Sequence, residues 1–210
     1  FTHDQTLRLA NIGYTPREIA ERLKLPETLA GNFHLRGYYG TLSHNSKAVY
    51  QHYFGWYEGN PAQLNPLPPV ESSLRYVEFM GGSDAVLEKA ALYLEKGEYR
   101  WVGEVLNHVV FAEPDNMQAR NMLAEAYRQM GYQAESGPWR DIYLSGAQEL
   151  AKGKAVEGFT KLASREFILQ VPLIEFMKLL SVSLDAEKAA GERLKINVLF
   201  RDLDQNFVLT

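Results

Sequence analysis

The sequence predicts a mainly α protein: a helical bundle built from helix hairpins, ending in the first strands of a truncated α+β domain. Three observations carry this. Apolar residues recur at helical spacing from residue 71 to about 184, punctuated at short intervals by glycine and proline. Before that run stands a helix-start signature, followed by four prolines between residues 61 and 69. After Gly191 the period drops to two: Leu194, Ile196, Val198 and Phe200 alternate with Arg193, Lys195 and Asn197, as in a half-buried strand.

Each element has its own signal. Leu7, Leu9 and Ile12 suit a short helix over 3–12. In "TPREIAERL", Thr15 is placed to cap, Pro16 to start the helix and Glu18 to complete a capping box, with Ile19, Ala20 and Leu23 as the buried stripe. A turn or two after Pro26 would turn Leu29, Ala30 and Phe33 inward. Ser43 is the expected cap of a helix over 44–54 that buries Val49, Tyr50, Tyr53 and Phe54. The proline stretch cannot continue a helix and marks a boundary near residue 70. Helices are then expected over 71–80, 84–96, 98–112, 116–130, 138–152, 155–164 and 172–184, with Ser83 and Asp115 as caps. "RDLDQN" can turn the first strand into a second over 206–210.

Composition excludes several function classes. At 210 residues and 46% hydrophobic, the chain has ample material for a core. A net charge of −4 without a basic stripe argues against a nucleic-acid surface, which needs concentrated cations. There is no cysteine, so disulfides and thiolate ligands are excluded. No apolar run approaches the roughly 20 residues of a membrane span. The chain opens without Met, already within a helical pattern, and stops on two short strands; a fragment of a longer polypeptide is the expectation.

Within the helical run, "YLEKGEYRWVGEVLNHVVFAEPDNMQARNMLAEAYRQMGYQAES" resembles a tetratricopeptide repeat. Gly97 and Tyr99 sit at the turn between helices, Pro114 and Asn116 close one unit, and Ala119, Leu123, Ala126 and Tyr127 begin another. Fewer than three units are visible, so these helices are expected to cover their apolar faces against something else.

The polar constellations give two open readings. No histidine pair has the spacing of a metal motif; His44 and His52 lie two turns apart on one predicted helix, too far to share an ion. No nucleophile elbow or phosphate loop is present. His3 and Asp4 read as a helix-start pair, His108 as an interior or interface histidine, His34 and His52 as surface residues, and Trp101 and Trp139 as packing. The stretch "RGYYGTLSHNSKAVYQHYFGWYEGNP" is either an aromatic packing surface or one wall of an anion site, since Arg36, His44, Asn45, Lys47 and Tyr57 supply several donors.

Five blocks bear on that choice by resemblance. "HDQTLRLANIGYTPREIAERLKLP", "RGYYGTLSHNSKAVYQHYFGWYEGNPAQLNPLPPVE", "RYVEFMGGSDAVLEKA", "GEYRWVGEVLNHVVFAEPDN" and "MGYQAESGPWRDIYLSGAQEL" closely resemble the bacterial alkylsulfatases of the metallo-β-lactamase superfamily. The likeness runs in long blocks from residue 3 to about 150 and more loosely to 210. It implies a parent that hydrolyses long-chain alkyl sulfate esters such as dodecyl sulfate, with two zinc ions in a catalytic domain. It further implies that 1–70 is the tail of that catalytic domain, 71–184 an all-α dimerisation domain, and 185–210 the start of a sterol-carrier-like domain. The family's H-x-H-x-D-H metal motif does not occur in these residues and is expected upstream. The resemblance assigns sulfate contacts to His44 of "SHN" and Tyr57 of "GWY", with Asn45 as a neighbour. A homodimer through the helical domain follows from it, and a periplasmic location is favoured by the export signal common in the family. The competing expectation is a non-catalytic repeat module that binds a protein partner.

Overall fold

The computed structural model describes residues 1–153 and 165–209, which fall into two compact units, 1–156 and 157–210. The expected helix over 155–164 lies outside the described residues.

The first unit opens with α1 (Thr2–Asn11) and α2 (Pro16–Arg22). The α2 capping box forms as its residues dictate: Thr15 Oγ1 accepts from the Glu18 N–H, and the Glu18 carboxylate accepts from the Thr15 N–H at 2.9 Å. Ile19, Ala20 and Leu23 are buried, and Leu9, Ile19 and Leu23 make a small core with Tyr14, Leu42 and Tyr50 around it. Ile12 is exposed beyond the end of α1. The turn α3 (Glu27–Ala30) is too short to carry an apolar face, so Ala30 and Phe33 are exposed rather than turned inward, and only Leu29 is partly covered.

Helix α4 (Leu42–Phe54) starts two residues earlier than expected. Thr41, not Ser43, caps it, because Thr41 holds the extended backbone a cap requires while Ser43 is already inside the first turn. Tyr53 and Phe54 are exposed rather than buried, Val49 and Tyr50 are partly covered, and Ser46 is the fully buried residue of the helix. The Tyr53 hydroxyl stays at the surface, 2.9 Å from His3 Nε2.

The proline stretch leads into α5 (Pro69–Phe79), then α6 (Ser83–Glu95), α7 (Tyr99–Ala112), α8 (Met117–Gln133) and α9 (Gly137–Lys152). α7 packs against α5, α6 and α8, and α8 against α9. Val77, Val86, Leu87, Ala90, Val102, Leu106, Val109, Ala119, Leu123 and Ala126 form the main core. The repeat-like pattern is realised here: Ala119, Leu123 and Ala126 are buried, and Gly97, at φ +79, makes the turn between α6 and α7. Two caps differ from expectation. Asn116, not Asp115, accepts from the Ala119 N–H at 3.0 Å. Gly82, at φ +91, occupies the cap position of α6, so Ser83 is its first helical residue and its hydroxyl donates to Glu113.

The second unit holds α10 (Arg165–Ile168), α11 (Leu173–Leu179), a 3₁₀ turn over Leu180–Ser183, α12 (Ala186–Ala189) and a hairpin of β1 (Ile196–Phe200) and β2 (Gln205–Leu209). The expected helix over 172–184 is therefore α11 plus the 3₁₀ turn. The strands pair antiparallel, with Val198 opposite Phe207 and Phe200 opposite Gln205. Val198, Phe200, Phe207 and Leu209 are partly covered on one face, whereas Leu194 and Ile196 are exposed. No helix of the described residues is long and apolar enough to cross a membrane.

Candidate functional site

The site is built on the first turn of α4. Thr41 Oγ1 accepts from the His44 N–H at 3.1 Å and lies 3.4 Å from His44 Nδ1, so one hydroxyl fixes both the backbone and the ring. His44 Nε2 is not engaged by Thr41, and the residue sits in the first turn of the helix, where the macrodipole favours negative charge. The imidazole and the Trp139 indole meet edge to face, with ring centroids 4.1 Å apart at 74°. Partial burial, and then the positive charge of Lys47, push the His44 pKa below the ordinary imidazole range. The shift favours the neutral form of the ring.

Asn45 is exposed on the same turn, and its side chain lies over Gly40, where a Cβ would come within 2.8 Å of Asn45 Oδ1. Tyr57 stands beyond the other end of α4, past Gly55 at φ +76, partly covered and with its ring on Trp56 at 5.7 Å. The structure thus puts His44 and Asn45 on one helical turn and Tyr57 beyond the opposite end of that helix. Arg36, another candidate donor, is paired with Glu135.

His44, Lys47 and Gln51 recur at i, i+3 and i+7, one stripe of α4. Lys47 and Gln51 line a cavity of about 740 Å³ bounded by α2, α4, α7, α8 and α9. That volume lies within the range of small-molecule sites. Arg100 on α7 spans it to Glu21 on α2 at 2.9 Å, and this hydrogen bond, with the Arg100 charge, holds the Glu21 carboxyl below its usual range. Tyr127 and Tyr143 make an aromatic wall, their rings 6.0 Å apart. Burial, followed by the nearby Tyr143, raises the Tyr127 pKa.

The sequence reading missed this groove. Its trace was present: Arg100, Glu104 and His108 recur every four residues on α7, on the face opposite buried Val102, Leu106 and Val109. His108 is partly covered, its Nδ1 3.1 Å from Ser73 Oγ and its ring stacked on Tyr76 at 4.5 Å. Trp139, read as packing, is the ring that touches His44. Asp4 lies in the first turn of α1 beside His3, and His34 and His52 are exposed. Among the described residues no three histidine or carboxylate side chains converge to hold a metal ion.

Comparison with known proteins adds the context. Residues 15–153 match the family model for alkyl sulfatase dimerisation, and residues 161–210 match that for the alkyl sulfatase C-terminal segment. The whole chain is 52% identical to 31% of a linear primary-alkylsulfatase from a Pseudomonas species. It is 50% identical to 32% of the alkyl/aryl-sulfatase BDS1 of Saccharomyces cerevisiae. Among solved structures, the stereoselective inverting sec-alkylsulfatase Pisa1 from a Pseudomonas species superposes with a TM-score of 0.91 at 44% identity, covering 99% of this chain and 33% of that one. The chain spans about a third of the length of these relatives.

Proposed function

This chain belongs to the alkyl sulfatase dimerisation family, and on that premise we propose that it is part of an alkylsulfatase, a hydrolase that splits sulfate esters of long-chain alcohols into alcohol and inorganic sulfate. The carrying observation is the uninterrupted likeness to alkylsulfatases along the whole chain. The competing reading, a partner-binding repeat without chemistry, is set aside because both matched segments are alkylsulfatase segments.

In this reading the helical segment 71–184 pairs with a second copy. The preceding residues, 1–70, face the catalytic part of the parent, and 185–210 begin its C-terminal domain. The α4 turn supplies the sulfate end of the pocket. A sulfate monoester carries delocalised negative charge, and hydrolysis leaves more of it on the departing sulfate. Donors preorganised around those oxygens lower the barrier. His44 Nε2 and the Asn45 amide are the proposed donors on the α4 turn, and the Tyr57 hydroxyl is the third proposed contact.

The likeness also implies zinc, which would supply an activated water. No such cluster is assembled by the described residues; we place the zinc ligands upstream in the parent, where the family's metal motif is expected, and none of the roles above passes through the metal.

Sulfate release from dodecyl sulfate by the full-length parent is the test. His44→Ala is expected to lower turnover at least tenfold in a protein that still folds; near-normal kinetics would return His44 to a packing role. Absence of activity toward any alkyl sulfate, with zinc supplied, would remove the proposal altogether.

A further inference from the structure

The segment leading into α4 contains Gly37 and Gly40 and has no regular structure of its own before Thr41. Such a segment does not hold a ring in one orientation unaided. It is instead tied, residue after residue, to the junction of α8 and α9. Arg36 pairs with Glu135. The Gly137 N–H donates to the Tyr38 carbonyl at 2.9 Å. Ser136 Oγ donates to the Tyr39 carbonyl at 2.5 Å. Ser136 is fully buried and also caps α9 by accepting from the Trp139 N–H at 3.4 Å. The last tie is the Trp139 indole against the His44 ring.

These ties have one geometric consequence. The junction fixes the path of residues 36–40, the Thr41 cap fixes the start of α4, and the indole blocks one side of the imidazole. With the Thr41 hydroxyl as donor to Nδ1, the proton would sit on Nε2 and that nitrogen would be the one left to donate.

We propose that Trp139 and Ser136 are positioning residues for His44, so that the α8–α9 junction of the helical unit sets the geometry of the sulfate-facing turn. The inference rests on the sulfate reading of His44. It gives the dimerisation segment a second role, because besides joining copies it orients a donor on another helix. A tryptophan that only filled space would affect folding and leave the donor's orientation alone.

The experiment uses the full-length enzyme with Trp139→Ala, Trp139→Leu, Trp139→Phe, Ser136→Ala, His44→Ala and the Trp139→Ala/His44→Ala pair. Rates on dodecyl sulfate, thermal melting and the titration of His44 are followed; the histidine is labelled with ¹³C and assigned by its loss in His44→Ala. Trp139→Ala is expected to lower kcat/KM at least tenfold. Trp139→Phe keeps a ring edge and stays within about threefold. The double variant is no slower than His44→Ala alone, because Trp139 acts through that ring. The His44 pKa moves up toward its ordinary value when the indole is gone. Ser136→Ala, which frees the Tyr39 carbonyl, gives a smaller loss in the same direction.

If Trp139→Ala does not fold, Trp139→Leu against Trp139→Phe carries the comparison, with leucine slow and phenylalanine near normal. Additive losses in the double variant, or an unchanged His44 titration in a folded variant, overturn the proposal. Wild-type rates in His44→Ala would retire the sulfate reading. That outcome overturns the proposal as well, whereas a slow His44→Ala beside a folded, fully active Trp139→Ala overturns the positioning alone.

Discussion

Arg120 offers the sharpest test of what holds the helical unit together. It sits on α8, and its guanidinium reaches the last carbonyls of α9. Nε and Nη2 donate to the Leu150 carbonyl at 3.0 and 2.8 Å, Nη2 also approaches the Glu149 carbonyl at 3.4 Å, and Nη1 donates to the Pro114 carbonyl at 3.2 Å. The fork at Leu150 is the dominant contact, since a helix end has carbonyls without intrahelical partners. A hydrogen bond from a charged donor contributes about 1.5–3 kcal/mol, and a cation at a helix C-terminus about 0.3–1 kcal/mol more. Arg120 is only partly covered, so the longer contacts are discounted and the total is about 3 kcal/mol. Arg120→Met keeps much of the apolar stem and removes every donor. At roughly 2–4 °C per kcal/mol for a chain of this size, thermal unfolding followed by far-UV circular dichroism should shift down by about 6–12 °C. Arg120→Lys keeps the charge but loses the fork, and should fall in between. A fall under about 2 °C for the methionine variant would refute the reasoning, and so would a lysine variant melting with the wild type.

Two further perturbations probe the same scaffold. A Cβ on Gly131 would lie 2.8 Å from Leu144 Cδ2 and 2.9 Å from its Cγ. Gly131→Ala therefore sets an overpacking cost of about 1–3 kcal/mol against a helix-propensity gain of about 1 kcal/mol; the cost should win by about 1 kcal/mol, lowering the melting temperature by about 2–4 °C. A stabilised variant would mean that Leu144 simply moves aside. Burial pushes the His108 pKa below its ordinary value, so the folded state binds fewer protons there than the unfolded state does. The stability it contributes is complete above the ordinary imidazole value, about 6.5, and is lost as pH falls below it. His108→Gln should flatten the dependence of melting temperature on pH between about 7 and 5; an unchanged slope would assign that dependence elsewhere.

What was legible in the sequence is what is local. The Thr15–Glu18 capping box, the buried stripe of Ile19, Ala20 and Leu23, and the small residues Ala119 and Ala126 depend on spacings of a few residues, and all appear as read. The start of α4 was displaced because Thr41 and Ser43 are both able caps, and local chemistry does not choose between them. The ties from Ser136 and Gly137 to residues 38 and 39 choose, by fixing the backbone just before Thr41. The aromatic residues of α4 were misplaced for a related reason: residue type states how much area Tyr53 and Phe54 have to bury, not which side of the helix finds a neighbour. The groove was illegible because no single segment contains it; it exists only where the polar faces of several helices meet, as Arg100 and Glu21 do. The case of His44 and Trp139 is the most instructive, since both residues were visible and only their contact was not. A motif can nominate a donor, but the contacts around its ring come from residues far along the chain. The α8–α9 junction is therefore as much a part of the candidate site as the turn that carries the histidine.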